Sequence, residues 1–181
     1  MKIALEEMAV TEFMGSPAGP SGNLIIVCGL PGSGKTTHAR RLEQELCAVR
    51  FCPDEWITAL GAELWESDLR GRIEELQWNL TQDLLALGHT IVIEWGTWGR
   101  SERDALREGA RALGGAVELH FLDAPMNVLL DRIRLRNVEH PPITPDEITL
   151  DYLISCDEQF QRPRAEEMSL FDSTTPWPFV L

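Results

Sequence analysis

LIIVCGLPGSGKTT, residues 24–37, decides the fold of this 181-residue chain. Its first five residues, LIIVC (24–28), are a continuous apolar and branched run, the mark of a strand buried on both faces. The next eight, Gly29 to Thr36, match GxxxxGK[ST] without departure, and Thr36 to Cys47 has helical spacing. A glycine-rich turn between a buried strand and a helix can fold its main chain around an anion. Successive N–H groups and the positive end of the helix then point at phosphate. Gly29, Pro31, Gly32, Ser33, Gly34, Lys35, Thr36 and Thr37 are therefore the candidate phosphate cradle. In such a cradle the lysine puts a point charge on the β- and γ-phosphates and the Thr36 hydroxyl ligates Mg²⁺.

Outward from this stretch, strands and helices alternate. AVRFC (48–52) reads as a short strand stopping at Pro53, and residues 54–60 as a short helix. Leu69, Ile73, Leu76, Leu80, Leu84 and Leu87 recur at steps of three and four, which predicts a long amphipathic helix over 67–87. TIVIEW (90–95) and AVELHFLD (116–123) are two further strands. Between them SERD (101–104) resembles a helix-opening box with Ser101 as cap, for a helix running to Leu113. Pro125 opens a helix ending near Arg136, residues 137–145 form a loop, and TPDE (144–147) restarts a helix capped by Thr144. The remaining tail holds one more helical turn and a final strand. Strands spaced by helices give right-handed crossovers, hence an α/β fold with a mostly parallel, doubly wound sheet. The length fits one domain, residues 24–181, preceded by a flexible segment of residues 1–23.

Ligands on such sheets bind beyond the carboxyl ends of the strands. Asp54 follows the second strand, where a carboxylate can orient an acceptor hydroxyl and take its proton; it is equally well placed to cap the helix it opens. Glu94 ends the third strand after three apolar residues, in the manner of a Walker B acid near Mg²⁺. It can hold a metal-bound water, hydrogen-bond the substrate, or act as the base in place of Asp54. Arg132 and Arg136 share one helix face and lead into the 137–145 loop, so they are candidates for a small lid around 132–145 that neutralises charge on the transferring phosphoryl group. Arg100 and Arg103 lie just past the third strand, in reach of a substrate anion, and Trp95 and Trp98 suit the wall of an acceptor pocket. His89 and His120 have no partner in view and are read as structural.

Sixteen basic against twenty-nine acidic residues give a net charge of −13. That sign repels phosphate backbones and anionic lipid, which argues against a nucleic-acid or membrane-surface partner and for a small-molecule one. No apolar run is long enough for a membrane span, and acids interrupt the start where a signal peptide needs an apolar stretch. Cys28, Cys47, Cys52 and Cys156 show neither metal spacing nor a disulfide framework, so the expected compartment is the reducing cytoplasm.

GLPGSGKTT, CPDEW, the strand-end EWG, WGRSERD, and LDAP followed by Arg132 and Arg136 together resemble the small P-loop kinases filed as AAA-type ATP-binding proteins. These group with chloramphenicol phosphotransferase, zeta toxin and polynucleotide kinase, and the resemblance spans residues 24–172. It implies a three-layer P-loop NTPase fold with a parallel sheet of order 2-3-1-4-5 flanked by helices. It also implies Mg·ATP as donor, Asp54 as catalytic base, and Arg132 and Arg136 as lid arginines on the phosphates. A guanine-reading NKxD motif is absent, in keeping with ATP. The expected activity is transfer of the γ-phosphate of Mg·ATP to the hydroxyl of a small molecule. The alternatives are a nucleoside, nucleotide or polynucleotide 5′-kinase, and a nucleotide-binding switch with slow ATP hydrolysis.

Overall fold

The apolar run becomes the central strand β1 (Asn23–Gly29), in which Leu24 through Cys28 are wholly inaccessible to solvent. Burying each leucine or isoleucine side chain stabilises the fold by about 1.5–3 kcal/mol. The computed structural model describes residues 21–64, 66–139 and 148–174, the side chain of Glu139 apart.

Beside β1 run β3 (Thr90–Gly96) and β4 (Ala116–Leu122), both parallel to it, and β2 (Val49–Phe51) lies outside β3. The order is therefore β2-β3-β1-β4, the first four places of the expected 2-3-1-4-5. At the free edge of β4, Asp172 N donates to Val117 O (2.9 Å) and Leu119 N to Ser173 O (3.1 Å), a parallel bridge at the fifth place. The final strand itself, like most of the 1–23 segment, Trp65 and the Thr144 cap, lies outside the described residues.

Pleating sends alternate β1 residues to opposite layers. Ile25 and Val27 meet Ala39 and Leu42 of α1 (Lys35–Glu45). Leu24, Ile26 and Cys28 meet a larger cluster with Leu85 of α3 (Ser67–Ala86), Leu106 of α4 (Arg100–Ala112), Ile133 of α5 (Met126–Glu139) and Leu153 of α6 (Leu150–Gln159). Two short helices complete the described elements, α2 (Pro53–Ala59) after β2 and α7 (Ala165–Met168) after α6.

Helix α3 forms over the predicted span but with its face turned. Its buried residues are Ile73, Gln77, Thr81 and Leu85, whereas Leu76, Leu80 and Leu87 are exposed. Helix α4 opens before the predicted box: Gly99 is its cap, and Glu102 Oε2 accepts from Gly99 N at 3.2 Å, in place of a Ser101 cap. Helix α5 continues to Glu139, three residues beyond expectation, and α6 is capped by Thr149, whose hydroxyl accepts from Tyr152 N.

All four cysteines are free, with Cys28, Cys52 and Cys156 buried and Cys47 exposed. Burial pushes the Cys28 thiol up to about 12 and Cys52 up to about 11, so neither is a nucleophile near neutrality. Among the described residues no helix is long and apolar enough to cross a membrane.

Candidate active site

The turn leaving β1 is shaped by two glycines with left-handed backbones. Gly34 (φ 96°) caps α1 and has open space where a Cβ would go, so only its conformation demands glycine. Gly32 (φ 79°) also needs the space: a Cβ there would meet Leu129 O at 2.7 Å and Ile133 Cγ1 at 3.0 Å. Helix α5 thus packs directly on the turn. No side chain caps α1 and its first turn holds no acid, so the one carboxylate in contact with the start of the helix, that of Glu94, comes from outside it.

Lys35 Nζ donates to Gly29 O (2.9 Å) and Leu30 O (3.0 Å), which holds the ammonium against the turn. Burial lowers its pKa, and Glu94 and Asp54 are among the groups that pull it back up. Both predicted acids therefore lie within electrostatic reach of the predicted lysine.

Glu94, at the end of β3, is almost wholly buried. Its Oε1 accepts a short hydrogen bond from the Thr36 hydroxyl, and its Oε2 accepts from Arg50 Nη1 at 2.9 Å. Burial raises its pKa, while Thr36, Arg50 and Lys35 favour the ionised form. Arg50 was not singled out from the sequence, although it is the one charged residue in the apolar strand AVRFC. It lies 7% exposed and engages three carboxylates. Besides Glu94 it donates through Nε to Glu43 (3.2 Å) and through Nη2 to both oxygens of Glu55 (2.8 and 2.7 Å). Burial would lower its pKa, but the hydrogen bonds to Glu55 and Glu43 outweigh that and hold it above the usual arginine range.

Asp54 stands in the first turn of α2, its side chain 58% exposed, and accepts from Arg70 Nη2 of α3. Arg70 also faces Glu74 (3.5 Å). With Glu55, Thr58 and Ala59, Asp54 lines an open cavity of about 360 Å³. A second cavity, about 440 Å³, is lined by Leu30 of the turn, residues 123–126, Leu129, Asp157 and Arg162. Trp95 and Trp98 line neither; both are half-buried and pack on the core.

The arginines divide. Arg132 and Arg136 are exposed on α5, on either side of the Ile133 that touches Gly32. Arg100 is half-exposed and lies 3.4 Å from Asp104 along its own helix. Arg103 corrects the sequence reading, because it is fully buried and every donor is taken. Nε and Nη2 bind the two oxygens of Glu167 (2.6 and 3.0 Å), Nη1 the carbonyls of Thr97 and Trp98 (2.8 and 3.1 Å), and Nη2 also Gln161 O (2.7 Å). It fastens the left-handed Gly96–Thr97 turn (φ 99° and 44°) to α7 and leaves nothing for a substrate. A cation at a helix start, where the dipole opposes it, was the sequence's only hint.

His89 is exposed, whereas His120 has partners that spacing did not reveal. His38 Nε2 on α1 lies 2.8 Å from His120 Nδ1, and His120 Nε2 lies 3.1 Å from Glu118 Oε2. Desolvation, then His120 and Arg41, push His38 down to about 4, so it is neutral.

Residues 24–159 match the protein family described as an AAA domain. No curated protein sequence matches the chain. Among solved structures, the APS kinase CysC of Mycobacterium tuberculosis, in complex with AMPPNP and APS, is 22% identical over 88% of this chain and 91% of that one, with a TM-score of 0.61. A gluconokinase from Sinorhizobium meliloti 1021 is 23% identical over 81% and 78%, with a TM-score of 0.51. A chain of the Pnkp1/Rnl/Hen1 RNA repair complex is 22% identical over 82% and 50%, with a TM-score of 0.61. At these identities the likeness is one of fold, the P-loop NTPase arrangement of a parallel sheet between helices.

Proposed function

Since the chain belongs to the AAA-domain family, we propose that it is an ATP-dependent phosphotransferase that moves the γ-phosphate of Mg·ATP to a hydroxyl of a small-molecule acceptor. The observation that carries this reading is that the glycine-rich turn, Asp54 and Glu94 stand at the carboxyl ends of β1, β2 and β3, with Glu94 in direct contact with Thr36 of the turn. Main-chain N–H groups of the turn at Gly32 and Gly34 to Thr36 and the positive end of α1 bind the phosphates, and Lys35 adds charge at their far end. Thr36 and Glu94 are hard oxygen donors in direct contact, which fits Mg²⁺ held by one or two protein groups and the phosphates. Among the described residues no cluster of three or more acidic, histidine or cysteine ligands offers a dedicated metal cage. When bound, Mg²⁺ neutralises charge on the β- and γ-phosphate oxygens.

Glu94 is held through one oxygen by Thr36 and through the other by Arg50, which keeps it on the metal side and leaves the base role to Asp54. Asp54 is exposed at a cavity and is the base. It takes the proton of the acceptor hydroxyl as that oxygen bonds to the γ-phosphorus and the bond to the β-phosphate oxygen breaks, which releases ADP. Arg132 and Arg136, on the helix that rests on Gly32, neutralise the transferring group. The acids lining the Asp54 cavity and the net charge of −13 weigh against a nucleic-acid acceptor.

Screening ADP formation against hydroxylated metabolites and antibiotics tests the reading. With the acceptor so found, Asp54→Asn lowers kcat by about 10²–10⁴-fold. A variant with near-normal turnover would remove Asp54 from the base role, and a screen with no acceptor-stimulated ADP formation would favour the switch.

A further inference from the structure

Resting on that reading, we propose that Arg50 is a positioning residue that couples the metal side of the site to the helix bearing the base. It touches neither the nucleotide cradle nor Asp54. Its guanidinium, from the middle of β2, is 7% exposed and meets carboxylates from three different elements: Glu43 of α1, Glu55 of α2 and Glu94 of β3. The geometry assigns each arm a task. Nη1 holds Glu94 Oε2 at 2.9 Å, which leaves Oε1 to receive the Thr36 hydroxyl proton and so fixes the direction of the remaining lone pairs of that hydroxyl. Nη2 holds both oxygens of Glu55, the residue next to Asp54 in the first turn of α2. Arg40 of α1 binds the same carboxylate from outside at 2.9 Å. A planar, permanently charged fork can serve two carboxylates in fixed relative orientation, which a lysine cannot. Metal-side and base-side geometry therefore share one rigid connection.

Partners that orient ligands from behind a metal site are worth about 10–100-fold in metal affinity. Titrating ADP into the full chain, in EDTA and in Mg²⁺, reads the first arm. Arg50→Met and Glu94→Gln each reduce the Mg²⁺-dependent gain in ADP affinity, taken as the ratio of the two buffers for the same variant, by about 10–100-fold. Hydrogen exchange of residues 53–59 reads the second arm. Arg50→Met and Glu55→Gln speed exchange there, whereas Glu94→Gln does not. Arg50→Lys, which keeps a charge without the fork, gives both changes in weaker form and serves where Arg50→Met loses its cooperative melt. Wild-type Mg²⁺ dependence or wild-type exchange in the Arg50 variants overturns the proposal alone. If the unaltered chain binds no nucleotide in either buffer, the phosphotransferase reading falls and takes this proposal with it.

Discussion

Arg103 illustrates how much one side chain's surroundings decide. A guanidinium at the start of a helix, beyond a strand end, has the position of a substrate ligand. Here it is fully buried with Glu167 as its bidentate partner, 64 residues away. A buried pair of this kind adds little over an apolar pair of the same volume, yet breaking it strands a charge. Glu167→Gln is accordingly expected to cost about 3–5 kcal/mol in urea denaturation. A double replacement of Arg103 and Glu167 by Met and Leu should recover most of that loss. If the single variant melts like the parent, the pair is not what fastens the Gly96–Thr97 turn.

At the scale of elements, α1 is held to β4 by the His38–His120 contact as well as by apolar packing. Folded His38 stays neutral down to about pH 4, whereas an unfolded histidine takes up its proton near 6.5. Between those values the unfolded state binds more protons. This contribution to stability is thus intact above pH 6.5 and is lost as the pH falls through about 4, by about 3 kcal/mol in all. His38→Gln should flatten that part of the profile, as judged by urea midpoints at pH 7 and pH 4.5. Helix α3 shows what the sequence hides at this scale. Its span was legible from leucine spacing, but Gln77 and Thr81 occupy the buried stripe and Leu76 and Leu80 face outward, a rotation of about one residue. Spacing ranks faces by hydropathy, and a core position filled by an amide or hydroxyl is invisible to it. The strand, the glycine-rich turn and the helix start at 24–36 were legible because every element of that signal is local. The Arg50, Arg103 and His120 arrangements were not, because each includes a partner far away in sequence that only the fold brings close.

For the whole molecule, a net charge of −13 opposes any anion, so the proposed nucleotide site has to be created locally by the turn. A ligand that binds only the folded chain stabilises it by mass action, about 2.7 kcal/mol at a hundredfold excess over Kd. Mg·ADP should therefore raise the Tm of the parent. Lys35→Ala, in which the turn loses its only ammonium, should lose most of that shift; an undiminished shift in thermal scans would contradict the phosphate assignment.

The distribution of sulfur offers a practical handle. Three thiols are shut inside the sheet and its helices, and the fourth, Cys47, sits on the surface just past the helix that begins at the glycine-rich turn. A maleimide dye should attach once per native chain at that point without prior mutagenesis, which intact-mass spectrometry would verify. The bare protein thus comes with a built-in anchor for a fluorescent reporter of events at the far end of the same helix.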